Sequence, residues 1–206
     1  MKDLIVLVAD KNMEFLIKGL FPRIPRVEGL RNFSFDSFVH PFRDPGIVHE
    51  ADKFLRPFSD KYAYSLVILD YEGSGQEDKS REIIETEISE KLNRVGWQDR
   101  TCVICIHPEL ENWIWVSDVR IQAAIDWDNK MGIYDWLYQN ELKSIENTKP
   151  DRPKEAFEEA LRICNTPRSS SLYENIGSRA SYRRCQDQAF WKMINCLKEW
   201  FALEDN

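Results

Sequence analysis

The feature that most constrains the fold is the stretch Leu-Val-Ile-Leu-Asp-Tyr-Glu at residues 66–72, which is followed by Gly-Ser-Gly. Four apolar residues without alternation are typical of a strand buried on both faces, as in a parallel sheet covered by helices. Because side chains alternate along an extended chain, Asp70 and Glu72 face the same side if the extended conformation continues to residue 72. The stretch predicts either a magnesium site at the end of a buried strand, or a helix cap at Asp70 beside a solvated Glu72.

Similar apolar runs recur along the first half of the chain. Strand patterns occupy residues 4–9, 33–39 and 101–106, and helical patterns follow residue 10 and cover about 47–58 and 77–95. This alternation predicts an α/β fold with a Rossmann-like, four-stranded, mainly parallel sheet flanked by helices. Prolines and a glycine predict a loop after the second strand, at residues 40–46. We expect an α/β domain at residues 1–118 and a helical C-terminal extension at residues 119–206 that packs on it.

Charge, apolar runs and cysteine positions limit which partners and which cellular compartment fit this sequence. The net charge of -7 argues against broad, non-specific coating of nucleic acid, but it is compatible with a local basic face. The N-terminus lacks a signal-peptide layout and no apolar run approaches the ~20 residues that span a bilayer, so we expect a cytoplasmic protein without membrane association.

Cys102 and Cys105 lie in a strand at an offset that places them on opposite faces, which excludes a shared zinc ion. We therefore expect reduced, mostly buried thiols.

Polar side chains follow each predicted strand. In a parallel α/β sheet the strands end at one edge, and ligands bind in the crevice outside those ends. The residues that follow the strands are Asp10, His40, Asp70, Glu72, His107, Glu109 and Glu111. If the chain stays extended after His107, the two glutamates share a face. If a helix begins at Pro108, they are instead acids of its first turn, where the helix dipole favours them.

Basic residues outnumber acids between residues 162 and 192. The candidates for contact with nucleic acid are Arg168, Arg179, Arg183 and Arg184. Tyr173 and Tyr182 are interleaved with them, an arrangement that suits a phosphate backbone. A solvated basic face explains the same pattern equally well.

The acids resemble the pattern of a known family. An acid after the first strand, a later strand that ends in Asp-x-Asp and a further acid downstream are typical of Toprim domains. These occur in topoisomerases, primases, and the overcoming-lysogenization-defect and RloB-like nucleases of bacterial defence. The resemblance covers residues 1–118, with Asp10 in place of the usual glutamate and Glu72 in place of the second aspartate. Pro-Glu-Leu-Glu-Asn-Trp at residues 108–113 is also similar to a stretch of RloB-like proteins, and the whole chain resembles a small component of a methylation-associated anti-phage system.

The resemblance implies metal-dependent phosphodiester chemistry. It implies a Mg²⁺ or Mn²⁺ site formed by Asp70, Glu72, Glu109 and Glu111. It assigns the role of general acid or base to Asp10, with Glu14 one helical turn further on as a substitute, and His107 or His40 would assist a leaving group. The implied partners are other defence-system proteins and nucleic acid.

Two other classes of function stay open. A non-catalytic subunit of a defence complex would keep the acids as a residual or regulatory metal site, and its basic half would bind a partner protein or nucleic acid. A phospho-receiver domain would use Asp70 at the end of its third strand. However, this chain has Lys11 where receivers place a second acid, and it has no fifth strand that ends in Lys-Pro.

Overall fold

The strands form one parallel sheet. The structure is a computed structural model that describes residues 1–116, 118–179 and 182–203, without the side chains of Asp118 and Arg184. The strands, in the spatial order β2-β1-β3-β4, are β1 (Lys2–Val8), β2 (Phe35–Val39), β3 (Tyr62–Asp70) and β4 (Thr101–Ile106). All three strand pairs are parallel. The predicted α/β fold with a four-stranded parallel sheet flanked by helices is therefore confirmed.

Helices connect the strands. The connections contain α1 (Lys11–Leu20), α2 (Ile24–Glu28), α3 (Arg43–Leu55) and α4 (Arg81–Leu92). Shorter helical turns lie at Phe21–Arg23, at Arg56–Phe58 and, as a π-helical turn, at Asn93–Trp97. Right-handed crossovers in this strand order place α1 on one face of the sheet and place α3 and α4 on the other, where these two helices are in contact.

The chain beyond β4 is helical in its described part. A 3-10 helix at Leu110–Trp113 leads to α5 (Asp118–Ala124), α6 (Ile133–Gln139), α7 (Pro153–Ile163), α8 (Ser170–Arg179), a 3-10 helix at Tyr182–Arg184 and α9 (Gln188–Phe201). Among the described residues no helix is long and apolar enough to cross a lipid bilayer. The division into two domains at residue 118 stays a prediction.

Helices α8 and α9 pack against the sheet and against helix α1. Helix α8 packs along α1 so closely that a Cβ on Gly177 would overlap the carbonyl oxygen of Leu16, and a Cβ on Gly19 would overlap that of Glu174. Glycine at both positions therefore allows the two helices to approach. Helix α9 packs against β4, and its Trp200 ring stacks on Tyr64 of β3 at 4.7 Å between the centroids.

Two boundaries differ from the sequence prediction. Helix α3 begins at Arg43, whereas the sequence predicts a loop at residues 40–46. Pro45 lies in the first turn of this helix, where a missing N–H and a fixed φ are tolerated. Strand β3 ends at Asp70, and the chain then turns. The extended conformation therefore does not continue to Glu72.

The cysteines also differ from the prediction. Cys102 of β4 and Cys196 of α9 form a disulfide, with 6.6 Å between their Cα atoms. The prediction that all five cysteines are reduced is therefore wrong for this pair. The thiols of Cys105, Cys164 and Cys185 are free. Sequence spacing did not indicate the pair because its members are 94 residues apart and meet only when α9 packs on β4.

Candidate acidic site

Asp70 lies at the carboxyl end of β3, a strand in the interior of the sheet. Its Oδ1 atom is buried, and no described residue forms a hydrogen bond with it. Burial raises the pKa of this carboxyl well above its ordinary value, and the charges of Asp44, Glu111, Asp10 and Glu109 raise it further. The charged form of Asp70 is therefore costly unless a nearby cation compensates it.

Asp44 is a member of this site that the sequence analysis missed. It lies in the first turn of α3, and its Oδ1 accepts a hydrogen bond of 2.8 Å from the backbone N–H of Asp70. Burial raises the pKa of Asp44, the hydrogen bond from Asp70 opposes the rise, and the charge of Asp10 adds to it. An acid near the start of a helix after β2 was the available signal, but the neighbouring Pro-Gly pair was interpreted as part of a loop.

Asp10 combines a structural contact with a place in the acidic cluster. By residue type either Asp10 or Asn12 could cap α1, and Oδ1 of Asp10 accepts a hydrogen bond of 2.8 Å from the backbone N–H of Met13, so Asp10 is the cap. Its charge also raises the pKa values of Asp70 and Asp44. Aspartates from three separate connections thus lie at one edge of the sheet.

Glu109 and Glu111 follow β4, and both are paired with cations from the C-terminal half. The backbone N–H of Lys154 donates to Glu109 at 3.1 Å, and the Nζ atom lies 3.4 Å from Oε2. The Nη2 atom of Arg168 lies 2.6 Å from Oε1 of Glu111, which also accepts a hydrogen bond from the Tyr173 hydroxyl. Both glutamates are buried, with exposed fractions of 5% and 2%. These pairs attach the C-terminal half to the acidic edge of the sheet.

The backbone after β4 matches neither of the two conformations that the sequence predicts for these glutamates. Glu109 has an extended conformation and precedes a 3-10 helix that begins at Leu110 and contains Glu111. The chain is therefore neither extended through both residues nor helical from Pro108. Burial raises the pKa of Glu109, the charge of Glu111 adds to the rise, and Lys154 opposes it.

Two other predicted acids have different surroundings. Glu72 is exposed in the turn after β3. Glu14 accepts a hydrogen bond of 2.9 Å from the Ser37 hydroxyl and forms an ion pair of 2.8 Å with Lys18. Neither acid is among those with the strongest effect on Asp70. The predicted metal ligand Glu72 therefore stands apart from the buried cluster.

The two histidines at the strand ends occupy different environments. His40 is buried, and its Nδ1 accepts a hydrogen bond of 3.2 Å from the backbone N–H of Phe42, while burial lowers its pKa. His107 is exposed, with its ring centroid 4.8 Å from that of Tyr71. The rings of Tyr71 and His107 line an open cleft of about 540 Å³ at the ends of β3 and β4. Of the two histidines, His107 is the one that solvent or a ligand can reach.

The predicted nucleic-acid contacts also separate into two groups. Arg168 pairs with Glu158 as well as with Glu111, so its guanidinium contributes to the packing of the C-terminal half. Arg179 and Arg183 are exposed at the surface. The side chain of Arg184 lies outside the described part of the structure.

The acidic cluster has suitable donor chemistry for a hard cation, because carboxylate oxygens are the preferred ligands of Mg²⁺ and Mn²⁺. No three Asp, Glu, His or Cys side chains of the described residues are positioned to hold one ion together. Mg²⁺ is commonly held by one or two carboxylates together with water molecules, and Oδ1 of Asp70 has no hydrogen bond to lose when it binds an ion. No protein-family model, curated protein or solved structure matches this chain.

Proposed function

We propose that the chain is a Toprim-like component of bacterial anti-phage defence whose acidic site acts on nucleic-acid phosphodiesters with Mg²⁺ or Mn²⁺. The observation that supports this proposal is the carboxyl of Asp70, which is buried among like charges and has an unpartnered oxygen. A divalent cation would compensate these charges at the edge of the sheet where parallel α/β proteins bind ligands.

The proposal uses a different set of ligands from the one that the resemblance implies. In the proposal, Asp70 and Asp44 hold the ion, and Asp10 is the acid or base because it lies close enough to raise both pKa values. When bound, the ion neutralises charge that develops on the phosphate oxygens. His107 is exposed in the adjacent cleft and is the proposed proton donor to the leaving oxygen.

Calorimetric titration with Mn²⁺ tests the metal site. We expect wild type to bind the ion, and the Asp70→Asn and Asp44→Asn variants to lose at least tenfold in affinity, because each loses a charged oxygen donor. The matched control is Glu72→Gln, which removes an exposed carboxylate of the adjacent turn and should leave the affinity unchanged. Absence of binding to wild type, or unchanged binding to folded Asp70→Asn, would contradict the proposal.

A non-catalytic subunit of a defence complex is the second candidate. The ion pairs Glu109–Lys154 and Glu111–Arg168 favour it, because they give two of the acids a role in holding the C-terminal half. In this alternative the exposed Arg179 and Arg183 contact a partner protein or nucleic acid. A wild-type protein that binds no Mn²⁺ and cleaves neither DNA nor RNA, but is retained by a defence-system protein, would favour this candidate.

A further inference from the structure

We propose that the open cleft beside the acidic site binds one guanine base of the nucleic acid on which that site acts. The cleft has a volume of about 540 Å³, and its walls include Tyr71, Arg81, His107 and Gln188. Tyr71 follows β3 and His107 follows β4, so the cleft lies at the same edge of the sheet as the acids. The inference rests on the proposed function, because one strand would have to reach both the cleft and the acids.

An aromatic wall suits a flat ring. The Tyr71 hydroxyl lies within hydrogen-bonding distance of the carbonyl oxygens of Glu77, at 2.7 Å, and Lys79, at 2.9 Å, and donates its one hydrogen between them, which holds this ring in place. The ring of His107 is exposed and packs against Tyr71 at an angle of 43°. Stacking on such side chains is the usual way in which proteins bind an unpaired base.

A pair of hydrogen-bond donors indicates which base fits. Arg81 donates through Nη2 to Oε1 of Gln188 at 2.6 Å and through Nε to Glu82 at 2.7 Å. No described residue accepts a hydrogen bond from Nη1 of Arg81 or from Nε2 of Gln188. These two neighbouring donors complement the O6 and N7 acceptors of guanine, whereas adenine presents one donor and one acceptor at the same edge.

The charges of the cleft favour a neutral group over a free phosphate. Arg81 is the one Lys or Arg among the described residues that line the cleft, and the acids Glu82 and Asp187 also line it. Asp187 accepts hydrogen bonds from Asn112, Trp113 and the backbone of Phe190, at 2.6, 3.0 and 2.9 Å, so both of its carboxylate oxygens already have donors within the protein. An isolated anion therefore meets net negative charge, whereas an uncharged base does not.

Ligand-observed NMR with guanosine and adenosine tests the inference, in buffer without divalent metal. We expect guanosine to bind wild type at least tenfold more tightly than adenosine. The Gln188→Glu variant replaces the free donor with an acceptor, keeps the contact with Arg81, and should bind guanosine at least tenfold more weakly. The matched control is Gln139→Glu, which adds the same charge at an exposed glutamine of α6 and should bind as wild type does.

The outcomes separate this inference from the proposed function. Guanosine carries no phosphate, so Asp70→Asn should bind it as wild type does. No guanosine binding to wild type, equal binding of adenosine, or unchanged binding to Gln188→Glu would overturn the base site, whatever the result of the Mn²⁺ titration. Guanosine binding to a wild-type protein that takes up no Mn²⁺ would support the base site and overturn the proposed metal chemistry alone.

Discussion

Asp70 illustrates how a single residue can lower stability while it prepares a site. Its carboxyl is removed from water, and the described acids around it raise the cost of ionisation. Stability and ligand binding therefore make opposite demands on this residue, as is common where charged groups are arranged for function.

Replacement of Asp70 by Asn should stabilise the metal-free protein at neutral pH, by about 1–3 kcal/mol, because it removes an uncompensated buried charge. The folded-state pKa of Asp70 is raised. The contribution of the Asp70 carboxyl to the free energy of unfolding is thus fully present below its unfolded-state pKa of about 3.9. It is lost as pH rises through the folded-state pKa. The advantage of Asp70→Asn should therefore disappear near pH 4. Urea unfolding of both proteins over a pH series measures it.

The exposed Glu72 provides the control for this prediction. Glu72→Gln also removes one acid but should change the free energy of unfolding by less than about 0.5 kcal/mol at every pH, since surface substitutions have small effects. An Asp70→Asn protein that is less stable than wild type at pH 7 without metal would show that the carboxylate is compensated in the folded state.

Arg168 shows that an arginine in a basic stretch can pair with a buried acid of the same chain. Its position in a basic stretch predicts a contact with phosphate, but in the structure it pairs with the buried Glu111. A buried carboxylate without its partner is strongly destabilising. The local composition of a segment therefore does not reveal which of its charges are free.

Among the elements, the contact between α1 and α8 depends most on the smallest side chain. Gly177 and Gly19 each lie against a carbonyl oxygen of the opposite helix. Helix α8 was not predicted from the sequence, because Ser, Asn and Gly are poor helix formers and its stability comes from packing.

Gly177→Ala should destabilise the protein by about 1–3 kcal/mol, because the new methyl group overlaps the carbonyl oxygen of Leu16. In an uncrowded helix the same change stabilises by about 0.5–1 kcal/mol, so the sign of the effect is diagnostic. Chemical denaturation measures the difference. Gly132→Ala is the control, since its methyl group would meet only ordinary van der Waals contact at 3.6 Å from Asp135. A Gly177→Ala protein more stable than wild type would show that the helices are further apart.

At the scale of the whole molecule, distant parts of the chain stabilise the acidic edge together. Lys154 and Arg168 reach Glu109 and Glu111 across 45 and 57 residues of sequence. The Cys102–Cys196 disulfide joins the last helix to an edge strand. The C-terminal half therefore supplies residues to the surroundings of the acidic site.

Thiol titration tests the disulfide. Without reductant, the denatured wild-type protein should release three free thiols out of five cysteines, and five after reduction, because Cys102 and Cys196 are bonded. The Cys196→Ser variant should release four without reductant, since its change frees Cys102. Five thiols in the unreduced wild-type protein would show that the two sulfurs are not bonded.

The sequence by itself determined the parallel sheet, the strand that ends at Asp70 and the helices between the strands. These features follow from local patterns, since apolar runs, capping residues and helical periodicity lie within a few neighbouring residues. Only the tertiary structure decided that Asp44 joins Asp70, that Glu72 does not, and that Cys102 pairs with Cys196. Such contacts join residues far apart in the chain, and neither their burial nor their charge partners exist before the helices pack on the sheet.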